Sequence, residues 1–301
     1  MQIGMIGLGR MGANMARRLS GGGHDVVGFD PSADARARLE AEGVASADSL
    51  QALVERLDAP RALWIMVPAG DPVDATIDAL LPLLSSGDVL VDGGNSFYKD
   101  SQRRATRLRE GGIGFLDVGT SGGVWGLAEG YSLMVGGDDD SAARLSPLFA
   151  TLAPAADKGW AHVGPSGAGH YAKMIHNGIE YGMMQAYAEG FAILDRKRGL
   201  VRDVAQVAEL WRHGSVVRSW LLDLTADALS ENPKLEGIAP YVPDSGEGRW
   251  TVAEAIELDV AAPVITQSLI ERLRSRDDDA FADKLLSAMR NAFGGHAVKR
   301  D

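Results

Sequence analysis

Met1-Gln2-Ile3-Gly4-Met5-Ile6-Gly7-Leu8-Gly9-Arg10-Met11-Gly12 opens the chain, and the fold follows from how it is read. A short apolar run, suited to a buried strand, passes straight into glycines at 7, 9 and 12. Ala13 to Leu19 then reads as a helix, Gly21-Gly22-Gly23 stops it, and His24 to Phe29 reads as a second strand ending at Asp30. This is a βαβ unit with G-x-G-x-x-G at its turn. Gly7 permits the tight turn, Gly9 lets a pyrophosphate approach the backbone, and Gly12 lets helix and strand pack closely. The helix N-terminus then faces the phosphates. The competing reading is a glycine-rich turn without a ligand. The flanking strand and helix, and an acid about 20 residues further on, count against it. Gly7, Leu8, Gly9, Arg10, Met11, Gly12 and Asp30 are therefore the expected dinucleotide contacts. Asp30 suits a free ribose hydroxyl and repels a 2′-phosphate, which favours NAD; Arg36 and Arg38 leave NADP open.

The alternation continues. Ala62 to Val67 reads as a strand closed by Pro68-Ala69-Gly70, Val73 to Leu84 as a helix, and Asp88 to Asp92 as a strand ending in Gly93-Gly94-Asn95-Ser96. Carboxyl ends of parallel strands line the ligand crevice, so Val67, Pro68, Ala69 and Asn95 are expected near the nicotinamide half. Capping the helix that starts near Tyr98 is the other task open to Asn95. Gly114 to Val118 repeats the pattern and leads into Gly119-Thr120-Ser121-Gly122-Gly123, whose N–H groups and hydroxyl suit a substrate carboxylate or hydroxyl. Tyr131 to Gly137 is one more strand, and Ser141 to Leu152 one more helix. From Ser166 onward the pattern is helical, apart from an expected loop at Gly246–Thr251. The sequence thus predicts a Rossmann-type doubly wound α/β domain over 1–165. An all-helical domain for substrate binding and oligomerisation is predicted over 166–301.

Within the helical half, Lys173, His176, Asn177 and Glu180 fall at i, i+3, i+4 and i+7, on one face of a helix. Met174, Ile175, Ile179 and Met183 lie opposite and are expected to hold that helix in a core. A base and an acid two turns apart on one rigid element suit successive proton transfers on a small substrate. A solvated charge pattern is the plainer alternative. Glycines at 167, 169, 178 and 182 weaken a solvated helix without return, and make sense where another backbone or a ligand comes close.

Composition narrows the function classes. The chain has 301 residues, 46% hydrophobic and 24% charged, enough for two domains with a sizeable core. A net charge of −11 argues against a nucleic-acid binder and an anionic membrane surface. There is no cysteine, which removes disulfides, thiolate metal sites and thiol catalysis and fits a cytoplasmic setting. No metal is expected, and no apolar run approaches the roughly 20 residues of a spanning helix.

Three segments are narrower still: Leu116-Asp117-Val118-Gly119-Thr120-Ser121-Gly122-Gly123, Lys173-Met174-Ile175-His176-Asn177-Gly178-Ile179-Glu180-Tyr181 and Arg290-Asn291-Ala292-Phe293-Gly294-Gly295-His296. With the first glycine motif, they make the whole chain resemble the decarboxylating 6-phosphogluconate dehydrogenases, in their shorter bacterial form, within the β-hydroxyacid dehydrogenase superfamily. The resemblance implies oxidation and decarboxylation of 6-phosphogluconate with NAD or NADP in the pentose phosphate pathway. It implies Lys173 as base, Glu180 as acid, and His176 and Asn177 beside them. Asn95, Ser121, Gly122, Gly123, Lys173, His176, Asn177 and Glu180 would hold the sugar acid. Tyr181, Arg272 and, from a neighbouring subunit, Arg290 and His296 would hold the phosphate. Longer members carry a lysine and a threonine where this chain has Ser245 and Glu247, with Arg249 as the expected substitute. The chain also lacks their duplicated helical half, so a homodimer with exchanged tails, or a homotetramer, is expected. A β-hydroxyacid dehydrogenase for a non-phosphorylated substrate is the alternative. A fold-only protein without activity is disfavoured, since both Lys173 and Glu180 are present.

Overall fold

A computed structural model describes residues 1–197, 199–294 and 297–299, with position 293 given by its backbone alone. Strands β1 (Gln2–Ile6), β2 (Asp25–Phe29), β3 (Ala45–Ala47), β4 (Ala62–Ile65), β5 (Val89–Asp92), β6 (Gly114–Ser121), β7 (Ser132–Gly137) and β8 (Trp160–Gly164) form one sheet. Their order is β3-β2-β1-β4-β5-β6-β7-β8. Helices α1 (Arg10–Gly21), α2 (Ala33–Ala41), α3 (Leu50–Glu55), α4 (Asp71–Leu80), α5 (Tyr98–Glu110), α6 (Gly126–Glu129) and α7 (Asp139–Leu152) connect them. The chain winds outward from β1 to β3, then returns to pair β4 on the other side of β1. That reversal is the topological switch point at which α/β sheets bind ligands.

The parallel run holds from β3 to β6 and reverses at β7, which is antiparallel to β6 and parallel to β8. Residues 122–131 join β6 to β7, fewer than the dozen or so a parallel crossover needs. Sequence reading misses β3, β8 and α3. Both missed strands are sheet edges. β8 alternates half-buried with exposed residues, so it never forms an apolar run.

Side chains alternate across the sheet as a pleat requires. Ala62, Trp64, Val89 and Val91 enter one buried cluster with α1 and α7, while Leu63, Ile65 and Leu90 enter another with α3, α4 and α5. Helix starts are fixed by capping side chains: Ser32, Ser49 and Asp138 each accept from the backbone N–H three residues on.

The remaining helices are α8 (Ala168–Arg196), α9 (Val204–Trp211), α10 (Trp220–Glu231), α11 (Glu247–Glu257), α12 (Pro263–Arg274) and α13 (Phe281–Gly294). The chain divides into two compact units, Met1–His176 and Asn177–Asp301. The division falls within α8, whereas the change of sequence pattern falls near residue 165. The second unit has its own small core of Phe191, Ala208, Leu222, Ala226 and Leu229. Gly246–Thr251, expected as a loop, is instead the start of α11. Gly246 takes φ +106, and its carbonyl accepts from Trp250 N at 3.0 Å, so the glycines that suggested a loop set up a helix entry. Among the described residues no helix is long and apolar enough to cross a membrane.

Leu90 is fully buried in β5. Leu90→Ala should cost about 2–5 kcal/mol in denaturant unfolding. A loss under about 1 kcal/mol would mean the layer is not close-packed there.

Candidate active site

The turn after β1 is shaped as the glycine spacing requires. Gly7 has φ +93, and a Cβ on Gly12 would stand 2.0 Å from Gly7 O, so the turn and the first turn of α1 are in backbone contact. A Cβ on Gly9 would meet nothing within 4 Å, which leaves open space over the N-terminus of α1. The leading N–H groups of that helix have no partner within it and carry its positive dipole end. Asp30 closes the crevice on the β2 side. Its Oδ2 accepts from Leu8 N at 2.8 Å and its Oδ1 from Ser32 N at 2.8 Å, which holds the carboxylate at the strand end. Arg36, one of the residues that left NADP open, donates to the carbonyls of Asp30 and Pro31 at 2.6 and 3.3 Å. This cradle fits the diphosphate and ribose of a dinucleotide.

Further along the switch point, Pro68, Ala69 and Asn95 are exposed at the ends of β4 and β5, with Val67 half-buried. Phe97 holds the N-cap position of the helix after Asn95, without a side-chain cap bond.

β6 and α8 build the chemical part. Asp117, fully buried on β6, accepts from Gly167 N at 2.6 Å and from His170 N at 2.8 Å, pinning the start of α8 to the strand. His170 also meets Ser101 of α5, Nδ1 to Oγ, at 2.7 Å. The approach is as close as glycine allows: a Cβ on Gly119 would lie 2.4 Å from Lys173 Cβ, and one on Gly169 would lie 2.2 Å from Asp117 O. Lys173 is thereby carried to the end of β6, 7% exposed. Its Nζ lies 3.4 Å from His176 Nδ1, and His176 Nε2 lies 3.4 Å from Ser121 Oγ. A neutral imidazole that accepts from the lysine at Nδ1 presents its N–H to Ser121. A lysine, an imidazole and a hydroxyl thus form a chain along which a proton can be exchanged. The loop beyond Ser121 is held by α1, where Asn14 and Arg18 donate to the carbonyls of Val124 and Leu127 at 3.3 and 3.0 Å.

The burial of α8 meets one expectation only in part: Met174 is buried at 2% exposure, as expected, but the rest of its face is not. Ile179 and Met183 are exposed at 53% and 39%, whereas Lys173, Asn177 and Tyr181 are buried. α8 comes close to its neighbours at two glycines on different faces: a Cβ on Gly169 would meet Asp117 O at 2.2 Å, and one on Gly178 would meet Thr251 Cγ2 at 2.6 Å.

In the second unit, the Arg272 guanidinium stacks 3.6 Å from the Tyr181 ring centroid and donates to Pro243 O at 3.0 Å. The Tyr181 hydroxyl lies 3.5 Å from Ser245 Oγ, which donates to Glu247. Arg249, the expected substitute cation, is paired with Asp244, as is Arg276. Arg290 is exposed on α13, and His296 lies outside the described residues. Sequence reading missed Asp117, Ser101 and His170. The one signal was for Asp117, a polar residue inside an apolar strand, which is unusual unless it is hydrogen-bonded.

Two family models cover nearly all of this architecture. Residues 2–164 match the NAD binding domain of 6-phosphogluconate dehydrogenase, and residues 169–283 match the C-terminal domain of 6-phosphogluconate dehydrogenase. This chain belongs to the 6-phosphogluconate dehydrogenase family. A Haloferax volcanii relative, named as an NAD(+)-dependent, decarboxylating 6-phosphogluconate dehydrogenase, is 48% identical over 100% of this chain and 99% of its own length. A Bacillus licheniformis 6-phosphogluconate dehydrogenase is 37% identical over 95% of this chain but only 64% of its own length. The solved Plasmodium falciparum 6-phosphogluconate dehydrogenase superposes with a TM-score of 0.85 at 27% identity, over 100% of this chain and 66% of that one. The family therefore has long members and members of this length.

Asp117→Ala should leave the Gly167 and His170 amides without their acceptor, at a cost of about 1–3 kcal/mol each. Hydrogen exchange at those two amides should accelerate relative to the rest of α8; unchanged rates would remove Asp117 as the anchor.

Proposed function

We propose that this protein carries out the NAD-dependent oxidative decarboxylation of 6-phospho-D-gluconate to D-ribulose 5-phosphate and CO2. The observation that carries the reading is the chain from buried Lys173 through His176 to Ser121, at the end of β6 in a sheet whose switch point has the dinucleotide cradle. The Haloferax relative, matched end to end, supports the same reaction and the same cofactor.

NAD supplies the hydride acceptor. Gly7, Leu8, Gly9, Arg10, Met11 and Gly12 would hold its diphosphate, Asp30 its adenosine ribose, and Val67, Pro68, Ala69 and Asn95 its nicotinamide end. Lys173, neutral at the outset, takes the proton of the C3 hydroxyl as C3 is oxidised. The resulting ammonium then donates a hydrogen bond to the C3 carbonyl oxygen, which draws electron density as the carboxylate leaves as CO2. Burial disfavours the charged form of the amine and so favours the neutral base that this step needs. His176 relays between Lys173 and Ser121, keeping the proton close. Glu180, two turns further along the same helix, protonates C1 of the enediol. Ser121, Gly122 and Gly123 offer a hydroxyl and backbone N–H groups to the sugar acid. Tyr181, Arg272, Arg290 and His296 remain the proposed phosphate contacts.

A homo-oligomer belongs to the same reading. Ile179, Met183, Met184 and Ile193 on α8, and Leu285, Leu286 and Met289 on α13, are exposed, more apolar surface than a lone subunit needs.

Steady-state assays of 6-phosphogluconate and of unphosphorylated gluconate, each with NAD and with NADP, test substrate and cofactor together. Turnover of 6-phosphogluconate with NAD is expected; equal use of gluconate would point to the non-phosphorylated alternative. Lys173→Met should lower turnover by about 10²–10⁴-fold or more while NAD still binds. Near-parental turnover would remove it as the base. Glu180→Gln should slow formation of ribulose 5-phosphate, and product at the parental rate would refute the acid. Asp30→Ala should narrow the preference for NAD over NADP.

A further inference from the structure

Arg104 on α5 is 1% exposed, and the expectations from sequence gave it no task. Its guanidinium spends five N–H bonds on two loops. Nε and Nη2 donate to the two oxygens of Asp74 at 3.1 and 2.9 Å, and Nη2 also donates to Gly70 O at 3.1 Å. Nη1 donates to Asp92 Oδ2 at 3.3 Å and to Ser96 Oγ at 3.2 Å. Guanidinium has five donors in a planar fork, so no other side chain can replace this set.

The acceptors are placed tellingly. Gly70 closes the turn after β4 that contains Val67, Pro68 and Ala69, and Asp74 lies in the first turn of α4. Asp92 ends β5; its Oδ1 accepts from Gly94 N at 3.1 Å and its Oδ2 from Ser96 Oγ at 2.7 Å. Both neighbours of Asn95 are therefore tied to the Asp92–Arg104 pair. A bridge of α5 to α4 would not need Arg104, because Arg103 already makes it, at 2.9 Å to Asp74. The two arginines hold the Asp74 carboxyl well below the usual carboxylate range, Arg104 being the larger cause. Burying an ion pair is a weak way to gain stability, since desolvation offsets most of the attraction. What this pair adds is geometry: two strand-end loops held at a fixed spacing across the switch point.

We infer that Arg104 is a positioning residue for the nicotinamide half of the cofactor, setting the gap between the Val67–Pro68–Ala69 turn and Asn95. The inference rests on the NAD reading above. The adenosine half is held elsewhere, by Gly7 to Gly12 and Asp30, so Arg104 should affect one end of the dinucleotide and not the other. Placement matters steeply there, since an error of about 1 Å at a reacting centre costs about 10²-fold in rate.

The test is calorimetric titration of the whole protein with NAD and, separately, with adenosine monophosphate, alongside kcat and KM for NAD. Arg104→Lys keeps the charge and loses the fork. Ser96→Ala removes one arm without touching a charge and serves where Arg104→Lys does not fold. Both should weaken NAD about tenfold or more while adenosine monophosphate stays within about twofold, and Arg104→Lys should lower kcat by up to about 10²-fold. Parallel loss of both ligands would overturn the inference, because a merely structural arginine would weaken both ends alike. Unchanged NAD affinity and kcat in both variants would overturn it as well. A parent protein that binds neither ligand would instead refute the cofactor reading itself.

Discussion

Two backbone amides at the start of α8, those of Gly167 and His170, donate to the buried carboxylate of Asp117, and that contact sets where the chemistry can occur. It ties the N-terminus of α8 to β6, and it places a negative charge at the positive end of the helix dipole. Once the helix is anchored, the distance from strand to helix is governed by the glycines at 119 and 169. Lys173 then reaches the end of β6 because no side chain on the strand stands in its way. The strand end and the helix base are one rigid assembly, and a proton-transfer site gains most from such rigidity.

The same logic recurs at the ends of β4 and β5. Arg104 does for the loops after β4 and β5 what Asp117 does for α8: a single buried charge, hydrogen-bonded in full, spans segments far apart in sequence. The Arg104 ion pairs are not suited to adding much stability, because a buried ion gives back most of its gain in desolvation. Asp117 and Arg104 each fix a spacing. The sheet supplies the scaffold through alternating apolar faces, and the buried charges set the positions of the loops that project from it.

Some of this was legible beforehand. G-x-G-x-x-G between a strand and a helix led to the switch point, because local backbone geometry alone makes those glycines necessary. The alternation of short apolar runs with amphipathic helices led to the doubly wound half. Edge strands β3 and β8 escaped notice because an edge buries too little to show an apolar run. The reversal at β7 escaped because direction depends on connection length, which residue types do not encode. On α8, apolar periodicity was right for Met174, which is buried, and not for Ile179 and Met183, which are exposed while Lys173 and Asn177 are buried.

The sequence by itself determined the dinucleotide half, the acid at the end of β2, and the set of polar residues on one helix, since each of these depends on contacts within a turn or two of chain. Only the tertiary structure decided that Lys173 is buried beside His176 and Ser121, that Asp117 anchors its helix, and that Arg104 joins two loops. The contacts of Ser121 with His176, of Asp117 with α8 and of Arg104 with Gly70 link residues tens of positions apart, and hydrogen bonds of that kind exist only once the chain has brought their partners together.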